Sequence, residues 1–381
     1  MDESGNSKAL RVLFVNRMAS LERGGGETFD LEISRHLAQA GVQVSFLSGA
    51  PLFGPPPMPV AGAQVLHTPW LRWFPWDKVK GGWRLRHAEF DWFEWRAARW
   101  VARNAARFDV IQVCELPNLV YWAKKRGVRT PIVMRLTAPN YYDPRGGVPL
   151  ADALIASGTS IQKLRERGHA VVVDIPNAVD ADLFRPQPSG FRKQHGIGAD
   201  EFVALYAARF QAFKNHAMLL DAFARLVRVR PAARLVLAGS GPLRERVERQ
   251  AAELGIAGKV LLLGEVPYAE LPAVYAAADV KVIASDYESF CFAAIEGMAT
   301  GLPVLTTDCA WVPRLVGDGA GIVVPAGDAA AFAAGLQRLA DNPALRQRMG
   351  AAGRQQVLER HTWPASAGRL EQLYRQVLGN A

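Results

Sequence analysis

The chain has 381 residues, half of them hydrophobic, and a formal net charge of +9; its length alone suggests two or three domains. No stretch approaches the ~18 apolar residues of a membrane span, and the opening MDESGNSKALRVLFV has no secretory pattern, so a mature cytosolic N-terminus is expected. Three scattered cysteines (Cys114, Cys291, Cys309) argue against a disulfide framework or zinc site, while the positive charge favours nucleic acid, anionic lipid or nucleotide phosphate as partners.

Leu10 to Asn16 reads as a first strand and runs into RGGGET, residues 23–28. Phe29, Ile33, Leu37 and Ala40 then recur at helical spacing, with Gly41 as a stop. VQVSFLS follows as a second strand, and the Pro/Gly loop APLFGPPPMPVAGA interrupts. Residues 67–107 hold nine Arg/Lys against four Asp/Glu, together with seven of the ten tryptophans. From Trp83 onward this stretch has helical spacing but two apolar faces. Phe93, Ala97, Trp100 and Val101 form one, and Leu85, Ala88, Trp92 and Trp95 the other. A surface helix needs only one such stripe. Either both faces are buried, with Trp70, Trp73 and Trp76 as a cover, or tryptophans stay at the surface among arginines, which suits a lipid–water interface. FDVIQVC, TPIVMRL and ADALIAS read as further strands.

Residues 171–190 are rich in Pro, Asp and Gly and read as a linker with turns. Beyond them FVALYAA, ARLVLAG, VLLLG, VKVIAS, PVLTT and GIVVP alternate with helices over 216–230, 242–254, 290–300 and 328–341. Near-continuous apolar strands alternating with helices mean a parallel sheet covered on both faces. The expected fold is α/β: two Rossmann-like domains facing each other across a cleft, with ligands at the carboxyl ends of the strands. Domains are expected over 1–175 and 176–360. The final helices pack on both, and 361–381 returns to the first domain.

Three constellations carry chemistry. Glu288 and Glu296 lie eight apart in YESFCFAAIEGMATGLPV. Along a helix that spacing is a rise of about 12 Å and a rotation of about 80° beyond two turns, so the pair cannot share one proton or metal. Separated ionised carboxylates suit an elongated ligand with hydroxyls at both ends, against the plain alternative of a solvated helix end. Arg209 ends a strand and Lys214 follows just before a helix, as a diphosphate clamp would require; two solvated basic residues are the competing interpretation. The glycines of RGGGET permit close backbone approach to a phosphate or sugar. Neither RGGGET nor GSGPLR (239–244) completes the dinucleotide fingerprint, which argues against an NAD enzyme. DAD at 180–182 lies in the linker and reads as turn chemistry rather than a Mg²⁺ site.

The order of the Gly-rich loop, IPNAVD…LFRP, Arg209 with Lys214, AGSGP and ESFCFAAIEGMATGLPV resembles the retaining GT-B glycosyltransferases of family 4, the glycosyl transferases group 1. The resemblance spans essentially the whole chain and is strongest over 175–325. It implies a C-terminal domain that binds a nucleotide-diphosphate sugar (UDP- or GDP-) and an N-terminal domain that binds a glycan or lipid-linked glycan acceptor. Glu296 is implied to hold the nucleotide ribose and Glu288 the donor sugar's hydroxyls. Arg209 and Lys214 hold the diphosphate, and Gly24, Gly25 and Gly26 approach from the other domain. Glu288, Arg209 and Lys214 would be catalytic, with Phe290 and Cys291 also lining the donor site. No metal and no cofactor are implied, because cations and backbone dipoles neutralise the leaving diphosphate. Retention by front-face attack needs no carboxylate nucleophile.

Two positions depart from the family pattern. Cys291 stands where the motif Glu-x-Phe-Gly has glycine, adding bulk beside the donor sugar. Thr137, or Leu136 with a slip of one, stands where the family often has a histidine; Thr137, Tyr141 and Tyr142 are the acceptor-side candidates. The expected activity is hexosyl transfer in polysaccharide or glycoconjugate synthesis, in the cytoplasm. Peripheral contact with the anionic inner face of the membrane is expected through residues 70–103. A non-catalytic nucleotide-sugar binder, a phosphorylase and an epimerase remain as alternatives. Nucleic acid is not expected as a partner, since no recognition-helix, zinc-finger or RNA-binding sheet motif accompanies the charge.

Overall fold

The structure is a computed structural model. It describes residues 9–21, 25–51, 57–60, 63–68, 82–136, 141–169, 172–288, 290–317 and 319–379. The chain divides into two compact units, Met1–Pro176 with Trp363–Ala381, and Asn177–Thr362.

The first unit is a seven-stranded parallel sheet. Its strands are β1 (Arg11–Asn16), β2 (Gln43–Pro51), β3 (Ala63–Thr68), β4 (Val110–Cys114), β5 (Ile132–Arg135), β6 (Ala153–Ala156) and β7 (Val172–Asp174). They lie in the order β3-β2-β1-β4-β5-β6-β7. Helices α1 (Gly25–Gln39), α2 (Gly82–Asn104), α3 (Pro117–Lys125) and α4 (Thr159–Glu166) connect them. The sequence pattern did not reveal β3, which emerges from the Pro/Gly loop, or β7. The latter is only three residues long and is a strand through its pairing with β6, where a linker was expected.

The second unit has six parallel strands: β8 (Phe202–Ala207), β9 (Ala233–Ala238), β10 (Val260–Gly264), β11 (Val280–Ile283), β12 (Val304–Thr307) and β13 (Gly321–Val324). Their order is β10-β9-β8-β11-β12-β13. After the short α5 (Phe191–Gln194), the helices are α6 (His216–Val229), α7 (Arg244–Glu253), α8 (Leu271–Ala276), α9 (Phe292–Ala299), α10 (Val312–Val316), α11 (Ala329–Asp341) and α12 (Pro343–Arg360). Two buried clusters line the sheet's two faces, one built around Phe223, Leu237 and Leu336, the other around Phe184, Tyr275 and Ile295. Near-continuous apolar strands follow from that double coverage.

Both sheets have the doubly wound order, in which the chain reverses direction across the sheet beside the first strand. In the second unit the reversal lies between β8 and β11, so the loops after those two strands share one crevice at the sheet's carboxyl edge.

The last two helices part company. Gly350 of α12 lies against the loop after α9, where an added Cβ would come within 1.9 Å of Gly301 O. The chain then returns, and α13 (Trp363–Gly379) belongs to the first unit. There Trp363 meets Phe29 edge-on at 5.9 Å, Ser366 Oγ donates to Pro176 O at 2.8 Å, and the Tyr374 hydroxyl donates to Gln112 Oε1.

The two faces of α2 have different fates. Phe93, Ala97 and Val101 are fully buried, whereas Ala88 is exposed and Trp92 is 44% exposed. Trp70, Trp73 and Trp76 lie outside the described residues.

Candidate donor site at the switch point of the second unit

Lys214 ends a short turn after β8 (Ala212–Lys214) and Glu288 lies in the loop after β11. Two stitches bring these loops together. Asn215 donates from Nδ2 to Asp286 Oδ1 at 2.8 Å, and Asp286 N donates to Phe213 O at 2.8 Å. Asn215 is left-handed (φ 48) and caps α6, accepting from Met218 N at 3.2 Å; asparagine tolerates that backbone better than most residues. Lys214 Nζ then reaches Glu288 Oε1 at 2.5 Å, with both side chains largely shielded from solvent. The same oxygen accepts from Ser285 Oγ at 2.7 Å. The Tyr206 hydroxyl donates to Lys214 O at 2.7 Å and lies 3.0 Å from Ser285 Oγ. The two residues given separate tasks by the sequence are thus in direct contact, supported by Ser285 and Tyr206, which read in sequence only as strand-end and core residues.

His216 packs behind this pair, its ring 4.9 Å from that of Tyr206 and 4.5 Å from that of Phe210. Burial, and then the nearby Lys214 charge, lowers its pKa to about 4. The imidazole is neutral and adds no positive charge to the site.

Arg209 is exposed just beyond β8, and its side chain has no hydrogen bond or ion pair among the described residues. The glycines of GSGPLR place its backbone. A Cβ on Gly239 would lie 2.1 Å from Ala208 O, and one on Gly241 would lie 2.6 Å from Phe210 O. These glycines let the 239–241 segment seat directly against the turn carrying Arg209, where Phe210 N donates to Ser240 O at 2.9 Å. Their role is close packing rather than a dinucleotide fingerprint.

Glu296 lies within α9, but Glu288 does not. Cys291 has φ 72 and ψ 81 and precedes the helix, which begins at Phe292 rather than 290. The eight-residue spacing is therefore loop plus helix, and the helical rise between the two acids does not apply. Cys291 occupies a left-handed conformation that glycine adopts freely and other residues only at a cost. This supplies a physical reason for a glycine at that place in the family motif. Burial, and next the Glu288 charge, pushes its thiol well up. The Phe290 ring is 5% exposed and packs edge-on to Phe292 in the core, so only its backbone is left to meet a ligand. Glu296 is buried and accepts from the Tyr275 hydroxyl at 2.6 Å. Burial raises its pKa, while Tyr275 and then Lys281 oppose the rise.

In the first unit, Gly25 and Gly26 open α1, and Gly24 lies outside the described residues. Arg135, at the end of β5, fixes this turn. Its Nη2 donates to Gly26 O at 2.6 Å and to Cys114 Sγ at 3.2 Å, and its Nε donates to Asp30 Oδ1 at 3.0 Å. Asn16 Nδ2 donates to the other Asp30 oxygen at 2.7 Å. Of the acceptor-side candidates, the Tyr141 hydroxyl lies 2.9 Å from His169 Nε2, Tyr142 stacks edge-on to His87, and Thr137 lies outside the described residues. In the second unit, Asp180 Oδ1 accepts from Asp182 N and Leu183 N, an aspartate turn.

Residues 189–356 match the family described as Glycosyl transferases group 1. A D-inositol 3-phosphate glycosyltransferase of Thermomonospora curvata is 30% identical, covering 93% of this chain and 90% of its own. A GDP-mannose-dependent alpha-(1-6)-phosphatidylinositol monomannoside mannosyltransferase of Mycolicibacterium smegmatis is 32% identical over 54% of this chain and 56% of its own. Among solved structures, Anabaena HepE in complex with UDP superimposes with a TM-score of 0.74 at 20% identity, covering 96% of this chain and all of that one; at that identity the likeness concerns the fold. A relative matched over nearly its whole length, together with two doubly wound units of GT-B type, makes the chain a member of the glycosyl transferases group 1.

Proposed function

We propose that the protein transfers a hexosyl group, with retention and without a metal, from a UDP- or GDP-sugar to a glycan or lipid-linked glycan acceptor. The observation that carries this reading is the contact between Lys214 and Glu288 across the two switch-point loops of one sheet, with Arg209 on the first of those loops and Glu296 in the helix that follows the second. Ligands of doubly wound folds bind at that place. On this reading the second unit holds the donor and the first holds the acceptor.

Arg209 and Lys214 bind the diphosphate, and the N-terminal end of α6 adds its dipole. Glu296 accepts from the ribose hydroxyls and Glu288 from those of the sugar. In the reaction the bond from the anomeric carbon to the diphosphate oxygen breaks. The acceptor oxygen bonds to that carbon on the same face, and its proton passes to the departing phosphate oxygen. The negative charge that develops on the leaving group is stabilised by the two cations. The GDP-mannose dependence named for the Mycolicibacterium relative and the UDP held by the Anabaena structure support a nucleotide-sugar donor. The inositol-bearing acceptors named for the two relatives support an acceptor with hydroxyls on a ring.

Attachment to an anionic membrane surface is part of this reading. Around α2 and α3, Trp92 lies 5.8 Å from Trp95, Arg99 and Arg126 (just past α3) lie over Trp95, and Arg126 and Arg145 (from the loop after β5) lie over Trp122. Aromatic rings interleaved with guanidinium groups suit a headgroup interface. No helix among the described residues is long and apolar enough to cross a membrane.

The test is incubation with a panel of UDP- and GDP-sugars, with and without phosphoinositol and oligosaccharide acceptors. Release of nucleoside diphosphate together with an α-linked product from an α-linked donor is expected. Donor binding without turnover on any acceptor would instead indicate a nucleotide-sugar binder.

A further inference from the structure

Lys281 lies within β11 with no exposed side-chain surface, and its Nζ has no hydrogen-bond partner among the described residues. An ammonium in such a place is costly unless something compensates the charge. The compensation is specific. Nζ lies 5.5 Å from the ring centroid of Tyr206 and 5.4 Å from that of Tyr275, within reach of a cation–π attraction to each. These two tyrosines each lead to one of the two carboxylates. Tyr206 reaches Glu288 through Ser285, and Tyr275 donates directly to Glu296. The chain also leaves room for the lysine stem. A Cβ on Gly297 would lie 2.8 Å from both Cβ and Cγ of Lys281, so even an alanine there would displace it.

We infer that Lys281 is a positioning residue of the donor site: a buried cation between Tyr206 and Tyr275 that keeps Glu296 in its ionised, hydrogen-bond-accepting form. The inference rests on the donor reading above and adds to it a residue that touches no substrate. An ionised Glu296 accepts from both ribose hydroxyls, whereas a protonated one must use one oxygen as a donor. Burial drives Glu296 toward the protonated form, and Lys281 opposes that drive. The groups facing Lys281 are Tyr206 from β8, Lys214 from the loop after it, Tyr275 from α8, Glu288 and Cys291 from the loop after β11, and Glu296 from α9. Tyr206, Tyr275 and Cys291 are all pushed up by burial and stay neutral. Burial, and to a lesser degree Lys214, lowers Lys281 to about 8, which leaves it mostly charged at neutral pH.

The test is calorimetric titration of UDP and GDP into wild type, Lys281→Met and Gly297→Ala between about pH 5 and pH 9, the range that spans carboxylate and lysine titration here. Lys281→Met fills similar volume without charge, and removing a buried charge that has no hydrogen bonds should not lower the unfolding temperature. At the alkaline end it should bind nucleotide as wild type does. Its loss of affinity on acidification should begin about one pH unit higher, giving about fivefold weaker binding than wild type at the pH where wild type is half-lost. Gly297→Ala should move the acid limb the same way, and it carries the test if Lys281→Met does not fold. Acid limbs that superimpose on wild type in the folded variants overturn the inference while leaving the donor site intact. Failure of wild type to bind either nucleotide at any pH overturns the donor reading and this inference with it.

Discussion

Lys214 Nζ and Glu288 Oε1 meet at 2.5 Å although 74 residues separate them in sequence, because one closes the loop after β8 and the other the loop after β11. On the proposed reading, this places a cation for phosphate beside an acceptor for sugar hydroxyls, as the two ends of a glycosyl diphosphate bond require. Glu288→Gln keeps the shape and the bond from Ser285 but removes the charge. Turnover should fall more than tenfold, the scale of one lost transition-state contact of a few kcal/mol. Lys214→Ala should chiefly weaken donor binding, and the double variant should be less impaired than the product of the two effects. Steady-state kinetics with the productive donor and acceptor check this; wild-type constants in both single variants would remove these residues from the site.

Cys291 holds a left-handed backbone that costs a non-glycine residue about 1–2 kcal/mol. Cys291→Gly relieves that cost and gives up the contacts of a partly buried thiol. The fold should be retained with an unfolding temperature at or above wild type. Added space beside the sugar should relax selection among donor sugars. Competition assays with paired nucleotide sugars read the effect, and unchanged selectivity would place the side chain away from the sugar.

Glu94 of α2 is buried and accepts from Leu119 N at 2.8 Å. Burial, the largest cause, raises its pKa to about 8. The folded protein therefore holds a proton that the unfolded chain releases above its ordinary carboxylate pKa of about 4.5. This contribution to stability is complete below the unfolded value and is lost as pH rises toward 8. Glu94→Gln keeps an acceptor oxygen for Leu119 N and removes the titration. Thermal unfolding from pH 5 to pH 9 should show wild type losing stability more steeply than the variant, a difference of order a few kcal/mol at the alkaline end. Parallel curves would contradict the buried neutral acid.

The aromatic–arginine surface of α2 and α3 gives a separate expectation. Replacing Trp92 by Ala and Arg99 and Arg126 by Gln should reduce co-sedimentation with anionic vesicles at low salt by more than tenfold, at ~1 kcal/mol per basic residue near the surface. Neutral vesicles should capture neither protein. Absence of anionic-lipid binding by wild type, or equal binding by the variant, would remove the membrane role.

Much of this fold was legible because fully buried parallel strands write themselves as apolar runs. FVALYAA and VKVIAS both mark real strands, and their ends locate the switch-point loops. Pairing, by contrast, leaves no local trace. The three residues of β7 are a strand only because β6 lies beside them. Glu288, Glu296, Arg209 and Lys214 stood out as charged residues at strand ends or in an apolar helix. Their supports did not. Tyr206 falls inside the apolar run FVALYAA, Tyr275 belongs to no motif, and Gly239 and Gly241 read as an incomplete fingerprint. Lys281 falls within the strand run VKVIAS, and nothing in the local sequence shows that two tyrosines, one on β8 and one on α8, close over it.

The most direct measurement of the central claim is a calorimetric titration of UDP and GDP into the full chain and into Lys214→Ala and Glu296→Gln. Saturable binding of one nucleotide at a single site is expected in wild type, weakened at least tenfold by either substitution with the unfolding temperature preserved. No binding of either nucleotide, or equal affinity in all three proteins, would contradict a donor site at the switch point of the second unit.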